Sequence, residues 1–278
     1  MEFRMLQLTS TQRDIYLEGK FFGGVVNNIG GYRKYSCELD VPRFIRAREL
    51  LLQGNDAYHL RFDDSKGGCV AVVDDRVPRA LQLLDFSAEA DAGSTALAWI
   101  QQQFAPPLAN IAESVFQDAL IKVSEREYWY FAKAHHLIMD GWGFALQMQR
   151  YLPLYEQLAF GGPASSAGPS FVAYMQDQSG YPASKQYAAS RDYWLAQYDT
   201  LPGNLMPTKA PVSTRSATSS RVSATIDAAL IRSLNDLARS AGASIVTVFY
   251  AALYVYFPRW CTTPWRDCSS ISSRCAHP

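Results

Sequence analysis

The chain has 278 residues, 48% of them hydrophobic and 19% charged, with a formal net charge of zero. The apolar fraction excludes a wholly disordered chain, and the length suffices for one large domain or two ordinary ones. The neutral balance argues against a nucleic-acid binder that works by neutralising phosphates.

Residues 1–8 carry Glu2 and Arg4 and contain no signal-peptide core. Ser10 is predicted to cap a first helix over residues 11–20. Val41-Pro42 opens a second helix, with Phe44, Ile45, Arg48 and Leu52 on one face and Gly54 at its end. Strands are expected at residues 69–73 and 80–84. A third helix reaches Phe104 with Gly93, Leu97, Ile100 and Phe104 on one stripe, and Pro106-Pro107 stops it. Residues 118–124 and 127–134 read as a hairpin. Its second arm, Tyr128-Trp129-Tyr130-Phe131-Ala132, is apolar on both faces, as a central strand would be.

A helix presenting Phe144, Met148, Tyr151 and Tyr155 follows, then a Gly-, Pro-, Ser- and Ala-rich loop at 161–170. A helical stretch over 171–198 and a linker over 201–220 lead to two further helices. The first, over 227–240, aligns Leu230, Leu234, Leu237 and Ala241 and ends at Gly242; the second is capped by Ser244 and ends near Phe257. The apolar run over 245–257 is too short to span a bilayer easily, so no membrane association is expected. The mixture of strands and helices indicates an α/β or α+β fold. A cytoplasmic protein with reduced cysteines is the default expectation.

Chemistry concentrates at His135-His136 and Asp140-Gly141, in a chain with four histidines. Metal ligation is the weaker reading, because adjacent residues at a strand end point to opposite faces. No His-x-x-x-His or Cys-x-x-Cys pair supports a site elsewhere. Acid–base work fits better: one histidine faces a cavity while the other packs inward, and a pKa of about 6.5 lets neutral imidazole accept a proton. Asp140 is near enough to return across the turn, and Gly141 permits close backbone approach. The structural alternative is a packed His-His pair with no chemical role.

Residues 134–143, Ala-His-His-Leu-Ile-Met-Asp-Gly-Trp-Gly, resemble the His-His-x-x-x-Asp-Gly motif of nonribosomal peptide synthetase condensation domains. Four other stretches resemble that family in its order: residues 8–16, with Thr11 where alanine is common; residues 28–32; residues 171–174 with Tyr187 and residues 191–194; and residues 247–256. The resemblance implies a chloramphenicol-acetyltransferase-like fold of two lobes with the active site between them. On that frame residues 1–160 form the first lobe, 161–220 connecting helices and linker, and 221–257 the opening helices of an incomplete second lobe. The implied reaction is amide formation between an acyl thioester and an aminoacyl amine. Both are carried on phosphopantetheine arms of carrier proteins, so carriers and other synthetase domains are the implied partners, with no cofactor bound directly. His136 would be catalytic, taking the amine proton or orienting the amine, with the Gly141 backbone near the developing oxyanion. His135 would pack structurally and Asp140 would anchor the motif, usually against an arginine.

Two departures stand out. The family's second motif falls on residues 54–62, where His59 stands in place of the anchoring arginine. The Asp140 partner is then expected to be His59 or Arg61, as a weakened anchor. The resemblance is also expected to stop at Phe257. The tail over 258–278 holds three Cys, three Arg, three Pro, four Ser and two Trp, and Ile271 is its only aliphatic side chain larger than alanine. It reads as an aberrant, disordered segment from a frameshift or truncation, with a genuine short extension as the alternative. With most of a second lobe replaced, this chain is expected to be catalytically weak or inactive alone. A non-catalytic carrier-docking module and an epimerisation-type fragment are the competing readings.

Overall fold

The computed structural model describes residues 5–22, 27–65, 67–74, 80–108, 110–161, 167–198 and 222–256. The expected linker over 201–220 and the tail over 258–278, with Cys261, Cys268 and Cys275, lie outside the described residues. The chain divides into two compact units. The first runs to Gln197; the second, as described, holds Tyr198 and residues 222–256.

The first unit is built on a four-stranded sheet of β2 (Asn28–Tyr35), β7 (Glu127–His135), β6 (Phe116–Ser124) and β5 (Gln82–Asp85), in that order. The β6–β7 hairpin and the β2–β7 pair are antiparallel, while β5 joins β6 in parallel. As its apolar faces predict, β7 is interior and buried along nearly its whole length. Its side chains alternate between two cores. Tyr128, Tyr130, Ala132 and Ala134 join the larger core with Phe44, Leu51, Met148 and Tyr151, from α2 (Val41–Gln53) and α4 (Gly141–Ala159). Trp129 and Phe131 face the other way, onto Ala96 and Ile100 of α3 (Ala92–Phe104). The α3 stripe therefore runs through Ala96 rather than the expected Leu97, which is exposed.

A second, antiparallel sheet orders β1 (Met5–Gln7), β4 (Val70–Val73) and β3 (Leu60–Asp63). Helix α1 (Ser10–Phe22) begins one residue earlier than expected, because Thr9 rather than Ser10 is its cap. Gln12 N donates to Thr9 Oγ1 at 3.2 Å and Thr9 N to Gln12 Oε1 at 3.1 Å, a reciprocal capping box. Two more helices, α5 (Phe171–Gly180) and α6 (Lys185–Gln197), complete this unit. Asp56 fixes the start of α5, accepting from Phe171 N at 2.8 Å and Ser170 Oγ at 2.5 Å.

One glycine is dictated by close approach. Gly30 has φ +158, and a Cβ there would lie 2.2 Å from the Ala132 carbonyl oxygen on the neighbouring strand. Between the sheet and its helices, Arg48 is buried on the apolar face of α2. Its Nε and Nη2 donate to the two oxygens of buried Asp118, at 2.7 and 2.9 Å. Tyr130 donates to the same carboxylate at 2.9 Å and also meets the Tyr151 hydroxyl. This network ties α2, β6, β7 and α4 together.

The second unit holds α7 (Ala228–Ser240) and α8 (Ile245–Tyr256). Asp227 caps α7 through Ala229 N at 2.7 Å, Gly242 turns the chain at φ +62, and Ser244 accepts from Thr247 N at 3.2 Å. No residue of α8 is buried, and Ala238 is the buried residue of α7.

Candidate active site

β7 delivers the histidine pair to its own C-terminal end. His135 is its last residue; His136 opens the turn that leads into α4. His135 is buried and His136 half-buried. His135 shares the face of Lys133, whose ammonium donates to Gln103 O at 2.6 Å and Pro106 O at 3.1 Å and so closes the end of α3.

His135 Nδ1 accepts the Leu137 N–H at 3.1 Å, so the ring's proton sits on Nε2. Burial, with the His136 charge beside it, pushes the His135 imidazole down to about 4. It is a neutral, structural acceptor across the physiological range. The ring also lines a cavity of about 300 Å³ with Tyr16, Lys20, Asn27, Asp64 and Asn110. Lys20 and Asp64 form an ion pair at 2.5 Å on its wall.

The backbone around His136 is fixed on several sides. His135 N donates to Val115 O and His136 N to Asn27 O, both at 2.8 Å, and Ile138 N to His135 O at 3.0 Å. Gln12 Nε2 donates to the Leu137 carbonyl at 2.7 Å. Asn27 is itself tied to α1 through its Nδ2 and Ile15 O at 3.4 Å. The turn thus carries a half-buried imidazole on a main chain held at His135 N, His136 N, Ile138 N and the Leu137 carbonyl.

Asp140 is exposed and caps α4. Its Oδ1 accepts from Gly143 N at 2.7 Å and its carbonyl from Phe144 N at 2.9 Å. Neither expected partner reaches it. His59 Nε2 donates to Leu52 O at 3.2 Å; Arg61 donates to Tyr58 O and Leu60 O and lies 3.9 Å from Asp74. The physical reason is placement: His59 ends the short helix Asp56–His59, and Arg61 turns back onto that helix from β3. Gly141 likewise differs from expectation. Its φ is not positive, and a Cβ there would meet only Ile29 Cδ1, at 3.9 Å, so the backbone does not demand a glycine. Gly141 is instead the first residue of α4, where the amides of Gly141 and Trp142 precede the capped ones and the helix dipole is positive. The structure therefore brings together His135, His136, Asp140 and Gly141 and leaves His59 and Arg61 apart from them.

Gln12 and Asn27 are participants that the motif reading passed over. The Thr9-x-x-Gln12 pattern signals a capping box, but nothing in the sequence signals the bond from Gln12 to a carbonyl 125 residues away. Among the described residues, no three His, Cys, Asp or Glu side chains gather as a metal site would require.

The Condensation domain family profile matches residues 3–265, past the limit at Phe257 read from the motifs. Surfactin synthase subunit 1 of Bacillus subtilis is 23% identical over 264 residues, 93% of this chain and 7% of that protein. The dimodular nonribosomal peptide synthase of the same organism is 26% identical over 178 residues, 64% of this chain and 8% of its own length. The solved starter condensation domain of rhizomide synthetase superposes with a TM-score of 0.67 at 25% identity, over 73% of this chain and 50% of that one. The chain thus spans less than a tenth of those synthetases and about half of that solved chain. With that profile covering most of its length, the chain belongs to the condensation-domain family of nonribosomal peptide synthetases.

Proposed function

We propose that the protein takes part in amide formation between an acyl thioester and an aminoacyl amine, both presented on phosphopantetheine arms of carrier proteins. The observation that carries this reading is the half-buried imidazole of His136, held on a pinned turn beside the first amides of α4. The amine nitrogen attacks the thioester carbonyl, and a C–N bond forms as the carbonyl oxygen gains negative charge. The Gly141 amide, at the positive end of a 19-residue helix, is suited to that oxygen. His136 takes the proton the amine sheds or holds the amine in line, and collapse breaks the C–S bond and returns a proton to the departing thiol. His135 stays neutral and orients the turn, while Asp140 organises the helix start. Carrier proteins and neighbouring synthetase domains are the partners, and a cytoplasmic setting accords with them. Among the described residues no single helix is long and apolar enough to cross a membrane.

The rhizomide synthetase domain has been solved with C8-CoA and Leu-SNAC, which supplies a pair of probes. Incubating the 278-residue chain with both and following the acylated leucine by mass spectrometry tests the proposal. Low but measurable product, lost in His136→Ala, is expected, because the chain spans half of the solved fold. Equal product from His136→Ala would refute the role given to His136. Carrier binding with no product from either protein would assign a docking role instead. Racemised leucine thioester would point to epimerisation.

A further inference from the structure

We propose that Gln12 is a positioning residue for His136, acting through the carbonyl of Leu137; the importance of that position rests on the acyl-transfer reading above. Gln12 is buried, with both ends of its amide engaged. Oε1 accepts from Thr9 N at 3.1 Å, and Nε2 donates to Leu137 O at 2.7 Å. The capping box therefore does two things. It starts α1, and it fixes the Gln12 amide so that its nitrogen points at the histidine turn.

The consequence follows bond by bond. Leu137 O and Ile138 N belong to one peptide plane. That plane is held on its oxygen side by Gln12 and on its nitrogen side by His135 O at 3.0 Å. Leu137 is buried, so without Gln12 its carbonyl would be an unpaired acceptor away from water. Rotating the plane towards another donor would pull Ile138 N from His135 O and free the peptide between His135 and His136. The bond from His136 N to Asn27 O would then be the nearest remaining restraint. Among the described residues no ion pair to Asp140 compensates; its Oδ1 caps α4 through Gly143 N.

Amide exchange and NMR of the full chain test this without requiring turnover, so failure of the acyl-transfer reading would not obscure the result. Four histidines make the imidazole Cε1–H spectrum assignable. Gln12→Met removes both side-chain bonds, and Gln12→Glu keeps an acceptor for Thr9 N but loses the donor to Leu137. Both are expected to speed exchange at the His136 and Ile138 amides by about tenfold, the upper range for one buried hydrogen bond. Both should also shift or broaden the His136 Cε1–H line. Thr9→Ala weakens the cap but keeps the Leu137 bond. It should lower the melting temperature without moving the His136 line. Unchanged exchange in the Gln12 variants, or an equal change in Thr9→Ala, would overturn the proposal. In the unmodified chain the Gln12 Nε2 protons should exchange slowly and couple to the Leu137 carbonyl carbon. Rapid exchange with no coupling would overturn it even if the variants failed to fold.

Discussion

His135 should make the first unit acid-sensitive in a defined window. In the folded chain its imidazole is pushed from the usual 6.5 down to about 4, by burial first and by the His136 charge second. The geometry explains why protonation is resisted: Nδ1 already accepts the Leu137 N–H, and a proton there would set two donors against each other. Because the folded value lies below the unfolded one, only the unfolded chain takes up the proton between these limits. The stability is fully present above about pH 6.5 and is lost as pH falls towards 4. Across that range the loss amounts to about 3 kcal/mol. His135→Asn removes the titration while leaving a side-chain oxygen to take the Leu137 N–H. The assay is urea unfolding followed by tryptophan fluorescence from pH 7 to 4, at constant m-value, on both proteins. The difference between their stabilities should fall by about 3 kcal/mol over this range. Asp118, whose carboxyl burial raises, is common to both and drops out of the difference. A flat difference, or a His135 Cε1–H resonance titrating near its ordinary value, would refute the reasoning.

Gly30→Ala should cost at least about 2 kcal/mol in urea unfolding, because its Cβ meets the Ala132 backbone oxygen and cannot move away. Gly141→Ala, with its nearest contact at 3.9 Å, should cost far less in the same assay. Asp118→Asn should cost about 3–5 kcal/mol by leaving Arg48 charged and buried, whereas Arg48→Met with Asp118→Leu should be nearly neutral; a double variant as unstable as the single would contradict this. Helix α8, with Tyr250 68% and Val255 64% exposed, should drive concentration-dependent association in sedimentation velocity. Tyr250→Lys with Val255→Lys should reduce it.

Periodicity made the central elements legible. The two-faced apolar run of residues 128–132 required an interior strand, and that strand fixes where His135 and His136 emerge. Arg48 was visible on the apolar face of α2, yet its partner Asp118 lies 70 residues away and no local pattern announces it. Ala96 displaced Leu97 from the α3 core because an alanine carries too weak a hydrophobic signal to set a stripe, while the tight packing against β6 favours it. At the site, the motif identified the residues but not their bonds. Adjacent histidines on an ideal strand would face opposite ways; here β7 ends at His135 and the turn decides where His136 points. That direction depends on Asn27 and Gln12, which only the tertiary fold brings near.

The histidine at position 59 bears on how such a site stays ordered. Neither His59 nor Arg61 reaches Asp140, whose side chain instead serves the first turn of α4, where it meets Gly143 N and the positive end of the helix. An exposed ion pair there would add little, since such pairs are worth at most about 1 kcal/mol and are screened by salt. The orientation of His136 instead rests on short main-chain bonds and the single buried amide of Gln12, which are shielded from solvent. A histidine rather than an arginine at residue 59 is therefore compatible with an ordered turn. Among the described residues no ion pair ties Asp140 to β3, so the two elements are set by separate contacts: α4 through Met148 and Tyr151 in the core, β3 through Arg61 and Asp74.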